Sequence, residues 1–367
     1  MGNARARELR HRGAGVTHVV LLSLLLQLGA ARGASPAATF CVHVDSTRRE
    51  VILTAGPFRV APADHAMSGM HGGGGGNEQQ GEVLVQRFSW PASVWVRGYR
   101  LRLFDARGRA LPRRWIHHLY VVDFDRRELV YPIAQRVFGM GRETPDVMLR
   151  STIGIPVSAG HELGLYLMWD NDTGAEVDGV YLELAFRWTA SSQDPSPLQV
   201  FPFFVDAHVA LGSEWSFEVP PGGGSATYEF TLPISGRLRM AGGHLHDHGL
   251  TLRLEDGLTG VPIVTLRAQR DSSGRLLGLP YRILAVRDSG PHLVAGRRYR
   301  LVATYDNPTP RPLTAVMGTL AGLFAPDSPE RWPSVDAEDP AFELDRRLLT
   351  TSHPGGGAQA GACQDRR

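Results

Sequence analysis

The feature that most constrains this chain is a period of two. Apolar and polar residues alternate through one short run after another: 83–88, 94–103, 116–124, 163–169 and 180–188, then 225–232, 250–254, 263–266, 299–305 and 315–323. Successive side chains of a strand point to opposite faces, so such runs read as half-buried β-strands. Turn residues punctuate them at Asp170–Gly174, Glu255–Gly257, Asp271–Gly274 and Asp306–Pro308. The chain holds 42 Gly and 25 Pro without any collagen-like period, and no long stretch carries the a/d spacing of a coiled coil. Helical bundles, fibrous chains and multi-span membrane proteins are thereby excluded. The expected fold class is all-β, with two tandem antiparallel β-sandwich (jelly-roll) domains.

At about 150 residues per domain, 367 residues make two domains, each with a core of its own. The polar, proline-bearing stretch Ser191–Pro197 is the natural boundary. The reading is a leader over 1–33, an N-terminal sandwich over 39–190, a C-terminal sandwich over 198–326 and a polar tail over 327–367. The leader has the parts of a secretory signal peptide: Arg5, Arg7, Arg10 and Arg12, then an apolar run from Val19 to Leu28, then small residues to Ala34. That run is too short for a mature transmembrane helix, which needs about 20 apolar residues. A secreted or periplasmic protein with no integral span after cleavage is expected.

Net charge is +2, from 39 basic and 37 acidic residues, which removes the electrostatic case for nucleic acid. All the basic residues are Arg, a habit of composition to which no mechanism attaches. Cys41 and Cys363 stand at opposite ends of the chain without a CxxC or metal-type neighbour. They can pair in an oxidising compartment, and their geometry decides whether they do.

Chemistry concentrates in Gly243-His244-Leu245-His246-Asp247-His248. On a strand, i and i+2 share a face, so His244 and His246 form a two-imidazole metal mount; a solvated polar strand end is the alternative. His248 extends that face only if the strand runs on to Gly249. A second pair, His117-His118, sits in Trp115–Val122. Neighbours on a regular strand face opposite ways, so both reach one metal only if a bulge or kink intervenes. Otherwise one is a core residue and the other faces water. His65, Met67, Met70 and His71 precede a run of five glycines. They are either a soft Cu(I)-capturing segment or incidental linker residues. His161 reads as a turn residue without a role. There is no HExxH and no GxSxG.

Tandem sandwiches with Ile116-His117-His118-Leu119 in the first and His244-Leu245-His246 in the second resemble the copper type II, ascorbate-dependent monooxygenases. That family includes peptidylglycine α-hydroxylating monooxygenase and dopamine β-monooxygenase. The resemblance spans about residues 85–325, and Thr314–Leu320 is also similar to the stress-up-regulated nodulin relatives. It implies a second-domain copper on His244, His246 and Met317, the thioether favouring Cu(I). It further implies a first-domain, electron-storing copper on His117 and His118, with copper at one or two per chain and ascorbate or another small reductant as co-substrate. The family's third first-domain histidine is missing from Leu167–Asp172, where Asp170 is the substitute oxygen ligand. The peptide-amidating members anchor substrate with an arginine and a tyrosine where this chain has Gly242 and Ala321, so a glycine-extended peptide is not expected.

Three functions follow as expectations. The first is an exported copper monooxygenase that hydroxylates a C–H bond of a small-molecule or peptide substrate. The second is a non-catalytic copper-binding or carrier protein of the same fold. The third is a structural double sandwich whose histidines are incidental.

Overall fold

The computed structural model describes residues 39–62, 83–211, 215–284 and 290–351. The leader, the 65–71 segment and Cys363 lie outside these residues; Cys41 is disulfide-bonded. The longer strands are β1 Thr39–Asp45, β2 Glu50–Val60, β3 Val83–Ser89, β4 Val94–Asp105, β5 Ile116–Arg127, β6 Ala134–Gly141, β7 Ile153–Val157, β8 Glu162–Trp169 and β9 Val177–Ala190 in the first half. The second half contributes β10 Phe201–Asp206, β11 Gly224–Thr231, β12 Gly236–Leu245, β13 Gly249–Asp256, β14 Pro262–Arg267, β15 Arg298–Tyr305 and β16 Gly318–Pro326. The fold is all-β.

Each half is a jelly-roll sandwich. In the first, the sheet β1-β2-β9-β4-β7 faces the sheet β3-β8-β5-β6. In the second, β10-β16-β12 faces β11-β15-β13-β14, repeating the order β2-β9-β4 and β3-β8-β5-β6. The alternation read from sequence is visible in β9, where Val180, Leu182, Leu184 and Phe186 are fully buried while Tyr181 and Glu183 are partly exposed. Each such buried side chain contributes about 1.5–3 kcal/mol.

The same turn closes both halves. Asn171 Nδ2 donates to Val60 O and Ala175 O, while its Oδ1 accepts from Thr173 N–H and Oγ1–H. Asn307 makes the same bonds to Val219 O, Arg311 O and Thr309. Both asparagines are fully buried, so each amide replaces backbone pairing that the chain reversal breaks.

The sheet β10-β16-β12 has two apolar faces. Leu238, Ala241, Leu245, Leu320 and Phe324 fill the second sandwich, whereas Leu323 and Ala325 join the core of the first. The two sandwiches are therefore packed against each other. The segment read as a polar tail is partly structured: Pro340–Thr351 forms a helix, α1, whose Phe342 is buried against Val122, Phe124, Ala134 and Tyr166. Among the described residues, no helix is long and apolar enough to cross a membrane.

Candidate metal centre

Both histidine pairs sit at the junction of the sandwiches, and they meet. His117 and His118 begin β5; His244 lies near the end of β12, and His246 follows one residue past it. The bulge that the His117-His118 pair requires is present. Pairing of β5 with β8 runs Ile116–Trp169 and then His118–Met168, so one residue of β5 is extra at this point. His118 Nε2 lies 3.0 Å from His244 Nε2. Ring nitrogens of His117, His118 and His246 all fall within 4.8 Å of one another. The rings of His244 and His246 have centroids 4.9 Å apart, and those of His117 and His246 are 5.3 Å apart.

Protonation is set by the surroundings. His244 Nδ1 is 2.5 Å from Glu143 Oε1, on a carboxylate that is almost fully buried. Nδ1 donating there leaves the Nε2 lone pair aimed at His118. His246 is held well below the usual imidazole range, first by burial and then by His244, His117 and His118. It is therefore neutral, and its buried Nε2 has no hydrogen-bond partner. Gly141 makes the approach of Glu143 to His244 possible, since a Cβ there would stand 2.5 Å from Glu143 Oε2 and 3.0 Å from His244 Nδ1.

These residues fit a metal ion. Two nitrogens bound at 2.0–2.1 Å in a tetrahedral site are roughly 3.3 Å apart, close to the His118–His244 separation. Neutral imidazoles suit copper, zinc, iron or nickel, and a carboxylate on the far nitrogen of a ligating histidine is the usual orienting partner. The orphaned Nε2 of His246 is the kind of buried group that an ion satisfies.

The other site residues read from sequence occupy the rim. Met317 lies just beyond the Leu245–Gly318 pair; its carbonyl accepts the Tyr305 hydroxyl, which itself accepts the His246 N–H at 2.8 Å. Asp170 is not grouped with the imidazoles. Its carboxylate takes Arg142 at 3.2 Å, and Arg142 reaches Asp247 at 2.5 Å with its other nitrogen. His248 turns away, because β12 has ended: it adopts φ +67° and donates its N–H to Gly274 O. The sequence reading missed Glu143 and Arg142, which lie in the loop after β6. At the far end of β5, His161 Nδ1 is 2.9 Å from Asp123 Oδ2 with Asp125 beside them, and this hydrogen bond holds the imidazole above its usual range.

What the fold and site define is an all-β protein of two stacked jelly-roll sandwiches with an imidazole cluster at their junction. No family model and no curated protein matches the chain. Among solved structures it is similar to the STIV MCP (TM-score 0.32, 10% identity, 67% of this chain and 94% of that one). It is similar also to the major capsid protein P2 from bacteriophage PM2 (0.31, 12%, 68% and 95%). A third likeness is to PNGF-II (0.32, 12%, 79% and 63%).

Proposed function

We propose that this protein is an exported copper-dependent monooxygenase whose single copper is held between the sandwiches by His117, His118, His244 and His246. The observation that carries the reading is the grouping of His117, His118 and His246 with ring nitrogens within 4.8 Å, His244 Nε2 standing 3.0 Å from His118, and His246 neutral with its Nε2 unpartnered. Bound there, copper supplies one-electron redox chemistry and an affinity for O2. The overall reaction balances as C–H plus O2, two electrons and two protons giving C–OH and water. Ascorbate, going to dehydroascorbate, is the two-electron donor.

The chain's own residues orient and shield. Glu143 fixes the tautomer and angle of His244. Arg142 pairs with both Asp170 and Asp247 at the rim, which turns those carboxylates away from the imidazoles. Met317 is tied to the His246 backbone through the Tyr305 hydroxyl, and its thioether is the soft ligand that the resemblance assigns to a reduced ion. A carrier is the second reading, and the number of imidazoles favours it, since four nitrogens close a tetrahedral site whereas catalytic sites keep a position open.

Copper counted per chain after Cu(I) loading tests the reading. One copper in the wild type and none in His118→Ala or His246→Ala is expected. Two coppers, one surviving in a His244→Ala, His246→Ala double variant, would restore separate sites in the two sandwiches. No copper at all sinks both readings. Ascorbate-dependent O2 consumption above that of free copper then separates the enzyme from the carrier.

A further inference from the structure

Beside the imidazoles lies a cavity of about 100 Å3, partly open to solvent, between the β4-β5-β6 side of the first sandwich and β10, β12 and β16 of the second. An enclosed apolar cavity of about 150 Å3 takes up benzene, so this one seats about one ring and leaves the rest of a larger molecule at its open side. His118 and His244 are among its lining residues.

The lining is selective by what it lacks. Charged residues make up 21% of the chain, yet none lines this cavity. Most of its hydroxyls are already engaged. Tyr99 donates to Pro145 O at 3.2 Å, Thr319 donates to Asp206 Oδ1 at 2.6 Å, and Thr144 accepts from Gly141 N–H at 3.1 Å. A carboxylate, phosphate or ammonium entering here would lose its hydration without a counter-charge, which disfavours it against a neutral molecule.

The shape is selective as well. Gly139 and Gly141 on β6, Gly242 and Gly243 on β12, and Gly322 on β16 expose bare backbone to the cavity. There is no room to add side chains at several of them. A Cβ on Gly139 would stand 3.0 Å from the Tyr120 ring, and one on Gly243 would stand 2.4 Å from Thr319 O. Tyr99, Tyr120, Phe138 and Phe204 form aromatic walls. At Gly139 the Tyr120 and Phe204 rings lie 3.0–3.3 Å from where a Cβ would stand, so glycine lets these rings close onto the backbone, and the aromatic lining favours an apolar ring as guest.

We propose that this cavity is the substrate site and that it takes an uncharged, planar, largely apolar molecule, one ring of which sits in the cavity edge-on to His118 and His244. The assignment of that occupant as substrate rests on the copper reading; its binding can be measured without copper.

The test uses one ring system with and without charge on the copper-free full chain. N-phenyl-1-naphthylamine is neutral, and 8-anilinonaphthalene-1-sulfonate carries the same rings with a sulfonate. The neutral probe should brighten and bind at least about tenfold more tightly than the sulfonate. Ala321 lines the cavity and pairs across the sheet with Gly242. Ala321→Phe should fill the space and abolish neutral-probe binding, with its melting temperature and copper content retained. Ala321→Arg should invert the preference towards the sulfonate. Equal binding of both probes, or an Ala321→Phe chain that binds the neutral probe like wild type, overturns the proposal. Copper bound with no probe binding refutes the cavity alone, whereas probe binding with no copper refutes the metal reading alone.

Discussion

The proton on His244 Nδ1 has one destination, Glu143 Oε1 at 2.5 Å, and the rest of the centre depends on where that proton sits. An anionic acceptor raises the basicity of the far nitrogen and locks the ring. Glu143→Gln keeps an acceptor oxygen but loses the charge, so copper affinity should fall about 10- to 100-fold. Titration against a chelator of known affinity reads this directly, and unchanged affinity would remove Glu143 from any supporting role. The residue was not legible in sequence. It stands 101 positions from His244, in a Gly-Arg-Glu-Thr loop that matches no motif. The imidazoles were legible by their spacing, and the bulge at His117 was legible only as a condition that the pair would need. That His118 and His244, 126 positions apart, approach within 3.0 Å is tertiary information that no local pattern holds.

At the scale of elements, the period of two located ten of the sixteen longer strands, because burial on one face is what both the pattern and the sheet express; β6, β7 and β10 were not among them. The missed helix was α1. Its signals are local and weak. Asp339 caps it by accepting from Ala341 N–H at 2.8 Å, Pro340 takes the first helical position, and Phe342 and Leu349 stand seven residues apart on one stripe. Few apolar residues on that stripe made 340–351 read as a tail. The repeated Asp-Asn-x-Thr turn at 170–173 and 306–309 was likewise present in sequence as the mark of two alike halves.

The helix carries its own pH dependence. Asp345, on the docked face, accepts from Ala134 N–H at 3.1 Å, and burial pushes its carboxyl up to about 6, against the pull of that N–H and of Arg136. The folded chain therefore holds a proton that the unfolded chain releases near 4. Between those values stability falls as pH rises, and above about 6 the cost is complete. Hydrogen exchange of the 340–351 amides, corrected for intrinsic rates, should show protection dropping from pH 4.5 to 7 in the wild type. In Asp345→Asn it should stay level; a variant that still loses protection over this range would assign the effect elsewhere.

Across the whole molecule, the linker at 191–197 marks where one sandwich gives way to the next, but it does not mark a hinge. A single buried guanidinium bridges the two. Arg136 on β6 holds Glu128 of the first sandwich at 2.5 and 3.0 Å and Asp206 of the second at 2.8 Å. The same guanidinium lies 4.6 Å from the centre of the Phe204 ring, whose side chain also lines the cavity. Sequence alone could not show this, because all three residues look like ordinary surface charges until the sheets are stacked. Even beside Arg136, burial pushes Glu128 up to about 7. Arg136→Met would leave Glu128 and Asp206 buried without their cation, a change that typically costs about 3–5 kcal/mol. Denaturant unfolding at pH 8 should show that loss, and it should shrink at pH 5, where the stranded Glu128 takes up a proton. Adding Glu128→Gln and Asp206→Asn should recover part of it at pH 8. A single variant as stable as wild type at pH 8 would mean that the sandwiches are held by Leu323, Ala325 and their apolar neighbours alone, with the ion cluster contributing nothing net.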